Sequence, residues 1–291
     1  MSAEVAPLFC KTLKVRFTQP SELNDPFEFR PLIDFDRMDA EFRHEIDIRL
    51  TEKFGTAEAA LDMMEEQQRT DPNYPKLRVP ISVARQMILA NPALQKQFMA
   101  DLHRHKAELL KAIKWEVQWE KLQQIFGQAL GIFSMTEEPA NTVMWSHYAS
   151  QHRGVVVEFD DEHPWFHQQL SPEDDFRHLV RVCYIANPHP RTWRELNGAD
   201  LFYSKGAEWT YEKEWRIIRP LKDGAQISSG IFCFEVPPDA VKTITFGCRA
   251  TQALEVEIRA LVAAHSPLNH VRFRRAKLAG GGKIDIVDAV S

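Results

Sequence analysis

Long apolar runs, paired cysteines and nucleotide-loop glycines are all missing from this chain. No stretch of its 291 residues approaches the roughly 18 consecutive apolar residues that a membrane span needs. The opening segment, MSAEVAPLFCK, has neither the basic nor the apolar region of a secretory signal, so a cytoplasmic protein with no membrane partner is the expectation. The four cysteines, Cys10, Cys183, Cys233 and Cys248, lie far apart and form no CxxC pair. Neither a zinc ribbon nor a disulfide framework is therefore indicated. There is no G-x-S-x-G elbow, no P-loop and no dinucleotide glycine fingerprint, which removes support for a serine hydrolase, a P-loop NTPase or a Rossmann dehydrogenase. Internal repeats and low-complexity tracts are absent as well.

What remains has the composition of a globular protein, with 44% hydrophobic and 26% charged residues. The length fits one large domain or two modest ones. A net charge of -5 argues against a surface built for nonspecific nucleic-acid binding. The charge is uneven, however, since residues 241–291 carry eight Lys/Arg against four Asp/Glu. The cluster Arg272, Arg274, Arg275 and Lys277 reads either as a local basic surface or as a solvated strand face. Among the 11 histidines only His163 and His167 have i, i+4 spacing beside an acid, and no third ligand is identifiable, so no metal is expected.

Residues 13–18 alternate apolar and basic side chains, as a half-buried strand does. The turn residues Asn24-Asp25-Pro26 follow. Residues 39–130 are rich in Glu, Gln, Lys, Ala, Leu and Met with a helical period. In 93–126, Leu94, Phe98, Leu102, Leu109, Ile113 and Val117 form a stripe that predicts one helix buried on one side. The segment 71–75, Asp-Pro-Asn-Tyr-Pro, breaks this region in two. After Gly131 the pattern returns to strands at 132–135, 155–159, 178–185, 215–221 and 231–236. A short helix lies between the first two, capped by Asn141 or Thr142, and Gly154 releases the chain after it. The tail reads as a strand (241–246), a helix (251–265) and two strands (270–278 and 283–290) joined by a triple-glycine hairpin. The prediction is an α+β protein with a mostly antiparallel, split sheet, short helices and a large all-helical insertion. Its parts are 1–38, the N-terminal piece of the α/β core; 39–130, the insertion; and 131–291, the main core with a C-terminal β-α-β-β.

Three segments combine polar and aromatic residues beyond what a core requires: 24–28, 134–158 and 205–216. In the second, Trp145 and Tyr148 at i, i+3 share a helix face, with His147 and Gln151 on a neighbouring one. They serve either as packing under the sheet or as a ligand-facing pair. If the third segment is extended, alternation puts Trp209, Tyr211 and Trp215 on one face and Glu212, Glu214 and Arg216 on the other. Two carboxylates beside a guanidinium either stabilise developing positive charge or simply screen one another on an exposed strand.

In this order the segments resemble a bacterial family of unknown function, domain of unknown function 2971. The resemblance rests on Ser21 to Glu28, on Phe133-Ser134 followed by Met144 to Ala149 and His152-Arg153-Gly154, and on Tyr211 to Arg216. Members of that family usually carry an aromatic-basic strand before the Asn-Asp-Pro loop, and here only about a dozen residues precede Lys14. The order of motifs is also distantly similar to that of ADP-ribosyltransferases. That resemblance implies NAD as substrate and a toxin or phage-defence role. Ser134, His147 and Tyr148 would hold nicotinamide and its ribose, Glu212 or Glu214 would stabilise the oxocarbenium-like transition state, and Arg153 or Arg216 would bind pyrophosphate. Asn24, Asp25, Lys205 and Trp209 complete the candidate binding set. Two other readings stay open. One is a noncatalytic nucleotide- or nucleic-acid-binding module that stacks bases on Trp145, Tyr148 or Trp209. The other is a metal-independent hydrolase or nuclease pairing His147 with Glu158 or Glu214. The partner of the helical insertion is not named by the sequence.

Overall fold

The computed structural model describes residues 1–71 and 79–289. In chain order the elements are α1 (Val5–Thr12), β1 (Lys14–Phe17), α2 (Phe35–Phe54), α3 (Ala57–Thr70), α4 (Ile81–Ala90), α5 (Pro92–Ala112), α6 (Trp115–Ala129), β2 (Leu130–Thr136) and α7 (Thr142–Tyr148). They continue with β3 (Val155–Phe159), β4 (Val180–Arg181), β5 (Cys183–Ile185), α8 (Gly198–Phe202), β6 (Ser204–Gly206) and β7 (Glu214–Pro220). The last are β8 (Ala225–Ser228), β9 (Ile231–Glu235), β10 (Val241–Phe246), α9 (Gln252–Ala264), β11 (Arg272–Ala279) and β12 (Lys283–Asp288). The protein is α+β. Two compact units divide the chain, Met1–Leu32 with Leu122–Ser291, and Ile33–Lys121. Among the described residues no helix is long and apolar enough to cross a membrane.

In the first unit the strands form small sheets ordered β1-β9-β8, β12-β11-β10-β3, β2-β7-β4 and β5-β6. Pairing is antiparallel except for β10 with β11 and β5 with β6. Parallel neighbours need a crossover longer than a hairpin, and α9 supplies the one between β10 and β11. The bridge between Thr18 and Ile132, with N–H···O bonds of 2.8 Å in both directions, joins the end of β1 to β2. Alternation on β1 turns Val15 and Phe17 inward, where Phe17 lies 4.2 Å from Phe234 and 5.5 Å from Phe133 between ring centroids. The inner face of α9, Leu254, Ile258 and Val262, closes that core together with Phe9 of α1. A strand does precede the Asn-Asp-Pro loop: it is β1, with Lys14 and Arg16 as its basic residues.

The named elements of the second unit's described residues are all helices, joined by short non-helical links. Its helices start where polar caps predict: Asp34 accepts from Arg37 N, Thr56 from Ala59 N, and Asn91 from Ala93 N just before Pro92. The single helix expected over 93–126 is instead two. Ile113 leaves the helix with ψ 120°, which ends α5, and α6 restarts at Trp115. Nor is the stripe buried. No residue of α5 is, and Leu94, Leu109 and Val117 are exposed, because a unit this small has too little interior to cover every helix face. Of the expected break at 71–75, residues 72–75 lie outside the described residues.

Candidate functional site

Five ionisable side chains meet inside the first unit: Glu28, Lys205, Glu212, Glu214 and Arg216, none more than 6% exposed. Each arrives by a different local device. Glu28 ends a turn in which Asp25 accepts from Phe27 N through Oδ1 (2.9 Å) and from Glu28 N through its carbonyl (3.2 Å). That turn sends Glu28 inward and leaves Phe27 in solvent. Lys205 sits on β6 opposite Tyr184 of β5. Residues Ala207–Glu212 then form a 3-10 turn rather than the expected extended run, and Lys213 reverses the chain in the left-handed region at φ 43°. The face predicted for Trp209, Tyr211 and Trp215 is thereby broken up: Trp209 lies under the Lys205 ammonium at 4.5 Å, while Trp215 donates to Glu137. Glu212 and Glu214 nevertheless converge, one from each side of the reversal.

The turn is held from two directions. Thr136 at the end of β2 donates to Glu212 O (2.6 Å), and Asn141 Nδ2 donates to Tyr211 O (2.8 Å). Asn141 is also the cap of α7, accepting from Val143 N and Met144 N. After α7, Ser150, Gln151 and His152 are all left-handed, and Gly154 returns the chain to β3. A Cβ on Gly154 would lie 2.1 Å from Met1 O, so only glycine fits there.

Within the cluster Lys205 Nζ is 2.6 Å from Glu212, 3.2 Å from Glu28 and 3.3 Å from Glu214. Arg216 grips both oxygens of Glu214, through Nε at 2.7 Å and Nη2 at 2.9 Å. It also donates to Phe202 O at 2.8 Å and contacts Glu28. Tyr184 accepts from Glu214 N at 2.8 Å. At the outer side Tyr148 donates to Glu212 Oε1 at 2.6 Å and accepts from Asn24 Nδ2 at 2.7 Å. Tyr148 is 41% exposed and Asn24 is exposed, so this edge of the cluster faces solvent.

The electrostatics differ from one carboxylate to the next. Burial pushes Glu214 up, but Arg216, Lys205 and Ser134 outweigh it and hold its carboxyl below the ordinary value. Burial dominates at Glu28 and raises it despite Arg216 and Lys205. Lys205 loses solvation, yet its three glutamates hold it above the usual lysine value. Burial, then Glu212, pushes the Tyr148 phenol up.

The structure thus brings Asn24, Tyr148, Lys205, Trp209, Glu212, Glu214 and Arg216 together, with Ser134 opposite Arg216 in the β2/β7 register. Asp25 is spent on its own turn. Trp145 is packed in the core at 2% exposure and donates to Pro139 O, which corrects its assignment as a stacking residue. The i, i+3 spacing places it beside Tyr148 without fixing which of the two turns inward. His147 is exposed, its ring edge-on to that of Tyr148 with centroids 6.3 Å apart, and Arg153 is exposed and donates to Gln151; neither has a hydrogen bond or ion pair to the cluster among the described residues. Glu28 and Tyr184 are the residues that sequence reading missed. Glu28 closes the Ser21 to Glu28 motif, but the 188 positions that separate it from Arg216 hide their contact. Tyr184 sits in a short apolar strand that carries no signal.

Residues 144–217 match the model of a family described as a protein of unknown function (DUF2971). No curated protein and no solved structure matches the chain. The matched stretch runs from α7 to β7 and contains Tyr148, Lys205, Glu212, Glu214 and Arg216, so the cluster, except for its Asn24–Glu28 loop, lies in the part of this chain that resembles DUF2971.

Proposed function

We propose that this cluster is the catalytic centre of an enzyme that breaks the nicotinamide–ribose bond of NAD and transfers ADP-ribose to an acceptor or to water. The observation that carries the reading is the geometry of the outer edge: Lys205 holds the buried Glu212 carboxylate at 2.6 Å, and the half-exposed Tyr148 hydroxyl meets its other oxygen at 2.6 Å. In the reaction the bonding pair leaves with nicotinamide, positive charge develops on the ribose, and the acceptor oxygen or nitrogen bonds to the anomeric carbon and gives up a proton. A fixed carboxylate beside that carbon stabilises the charge as it forms. Glu212 is the carboxylate assigned to this task. Tyr148 and Asn24 orient the ligand at the edge, and Lys205, Glu214 and Arg216 hold Glu212 in place. The distant similarity in order of motifs to ADP-ribosyltransferases is the ground for taking NAD as donor. The noncatalytic stacking module is less well supported, because Trp145 is buried and two of the tail's arginines are used internally, Arg274 with Asp288 and Arg275 with Glu255.

The test is calorimetry and product analysis with NAD on the purified chain beside Glu212→Gln. Saturable binding is expected, with turnover lowered by about 100-fold or more in the variant, the usual cost of removing one preorganised electrostatic group. Absence of NAD binding and turnover, or equal turnover in both proteins, would refute the reading.

A further inference from the structure

The cluster's own arithmetic leaves one charge unbalanced. With all groups ionised it carries a net charge of minus one in a buried site, and a buried charge without a partner is costly enough that the group takes up a proton instead. Which carboxylate takes it follows from the donors each receives. Glu214 has Arg216 on both oxygens and Lys205 at 3.3 Å. Glu212 has Lys205 at 2.6 Å on one oxygen and the Tyr148 hydroxyl at 2.6 Å on the other. Glu28 contacts Arg216 through Oε2, whereas Oε1 is enclosed and has no hydrogen bond; Lys205 Nζ lies 3.2 Å away without alignment. Lys205 on β6 and Arg216 and Glu214 on β7 are the charged groups that face it. Donors stabilise the ionised form of a carboxyl, and Glu28 has the fewest.

We propose that Glu28 holds the single proton that balances the cluster, and that its ionisation competes with Glu212 for Lys205. Glu28 is therefore a positioning residue, acting on the ligand edge only through the lysine. Its effect on turnover rests on the functional reading above; the protonation itself does not. Burial at Glu28 acts in the same direction.

Carboxyl-carbon NMR of protein labelled at glutamate, titrated with pH, tests the first half. One glutamate is expected to titrate above the ordinary range, with that resonance lost in Glu28→Gln. If every glutamate in the unsubstituted protein titrates at or below its ordinary value, the assignment is overturned, whether or not the variant folds. The second half is read from the pH profile of NAD turnover. Activity should fall on the alkaline side as Glu28 ionises, and Glu28→Gln should flatten that limb. A variant that keeps the same alkaline limb would overturn the positioning role. A protein without NAD turnover would instead overturn the functional reading, while the NMR result still decides the proton.

Discussion

Replacing Lys205 by Met keeps the side-chain stem in place and removes only the charge, which isolates the lysine's part in the cluster. Arg216 would then be the cluster's remaining cation, in contact with Glu214 and Glu28 but not with Glu212. Breaking a buried ion pair by deleting one partner typically costs about 3 to 5 kcal/mol, because the charge left behind stays buried. For a unit of this size that lowers the melting temperature by about 6 to 20 °C. Lys213→Met is the matched control: Lys213 pairs with Glu138 at 2.8 Å, but both side chains are substantially exposed, and solvent screens such pairs so that they contribute little to stability. Thermal unfolding of the two variants at neutral pH should differ accordingly. The deficit also has a sign with pH. Without the lysine, the stranded carboxylates are raised above their unfolded values. The stability of a raised carboxyl is fully present below the unfolded value and lost as pH rises through the folded one. The Lys205→Met deficit should therefore be largest near neutrality and shrink towards the ordinary carboxylate range. Equal shifts for the two lysines, or a deficit that does not narrow on acidification, would refute the coupling.

Asn141→Ala removes the cap bonds to Val143 N and Met144 N together with the tie to Tyr211 O. Urea unfolding should show a loss of about 1 to 2 kcal/mol, larger than for Thr251→Ala, which caps α9 through one bond to Leu254 N. Trp145→Ala should cost about 3 to 5 kcal/mol in a melt, as deletion of a buried aromatic does, while NAD affinity of the folded protein measured by calorimetry stays unchanged. Weakened NAD binding at unchanged stability would return Trp145 to the ligand site.

Where the sequence was easiest to interpret, one physical signal dominated. Apolar and basic alternation marked β1, β-branched runs marked β3 and β10, and the Gly280–Gly282 run marked the β11–β12 hairpin. The parallel pairing of β10 with β11 left no such trace, since alternation says which face is buried and nothing about the neighbour. Elements of a few residues, such as β5, β6 and α8, are set by tertiary contacts and lie below the length at which a period can be counted. Within the site, Glu212, Glu214 and Arg216 were legible because they crowd into five positions. Their route was not, because the left-handed turn at Lys213 carries neither Gly nor Asn to announce it.

Arg219 supplies the comparison that separates function from burial. It lies three residues beyond Arg216 on the same strand and is also buried, yet no carboxylate is within ion-pair distance among the described residues. The ring of Trp165 covers its guanidinium at 4.2 Å and those of Phe17 and Phe234 at 5.7 Å, and Nη2 donates to Trp165 O. Burial pulls this arginine down to about 10, still charged at neutral pH. This fold therefore buries an arginine on β7 with aromatic faces and a backbone carbonyl alone. The carboxylates around Arg216 are not needed to bury it, and buried ion pairs contribute little net stability over well-packed apolar residues. The third carboxyl, Glu28, leaves an enclosed oxygen without a hydrogen bond, which makes the cluster harder to bury. A cluster that burial alone does not require, with an edge that faces solvent at Tyr148, fits the chemistry proposed at that edge.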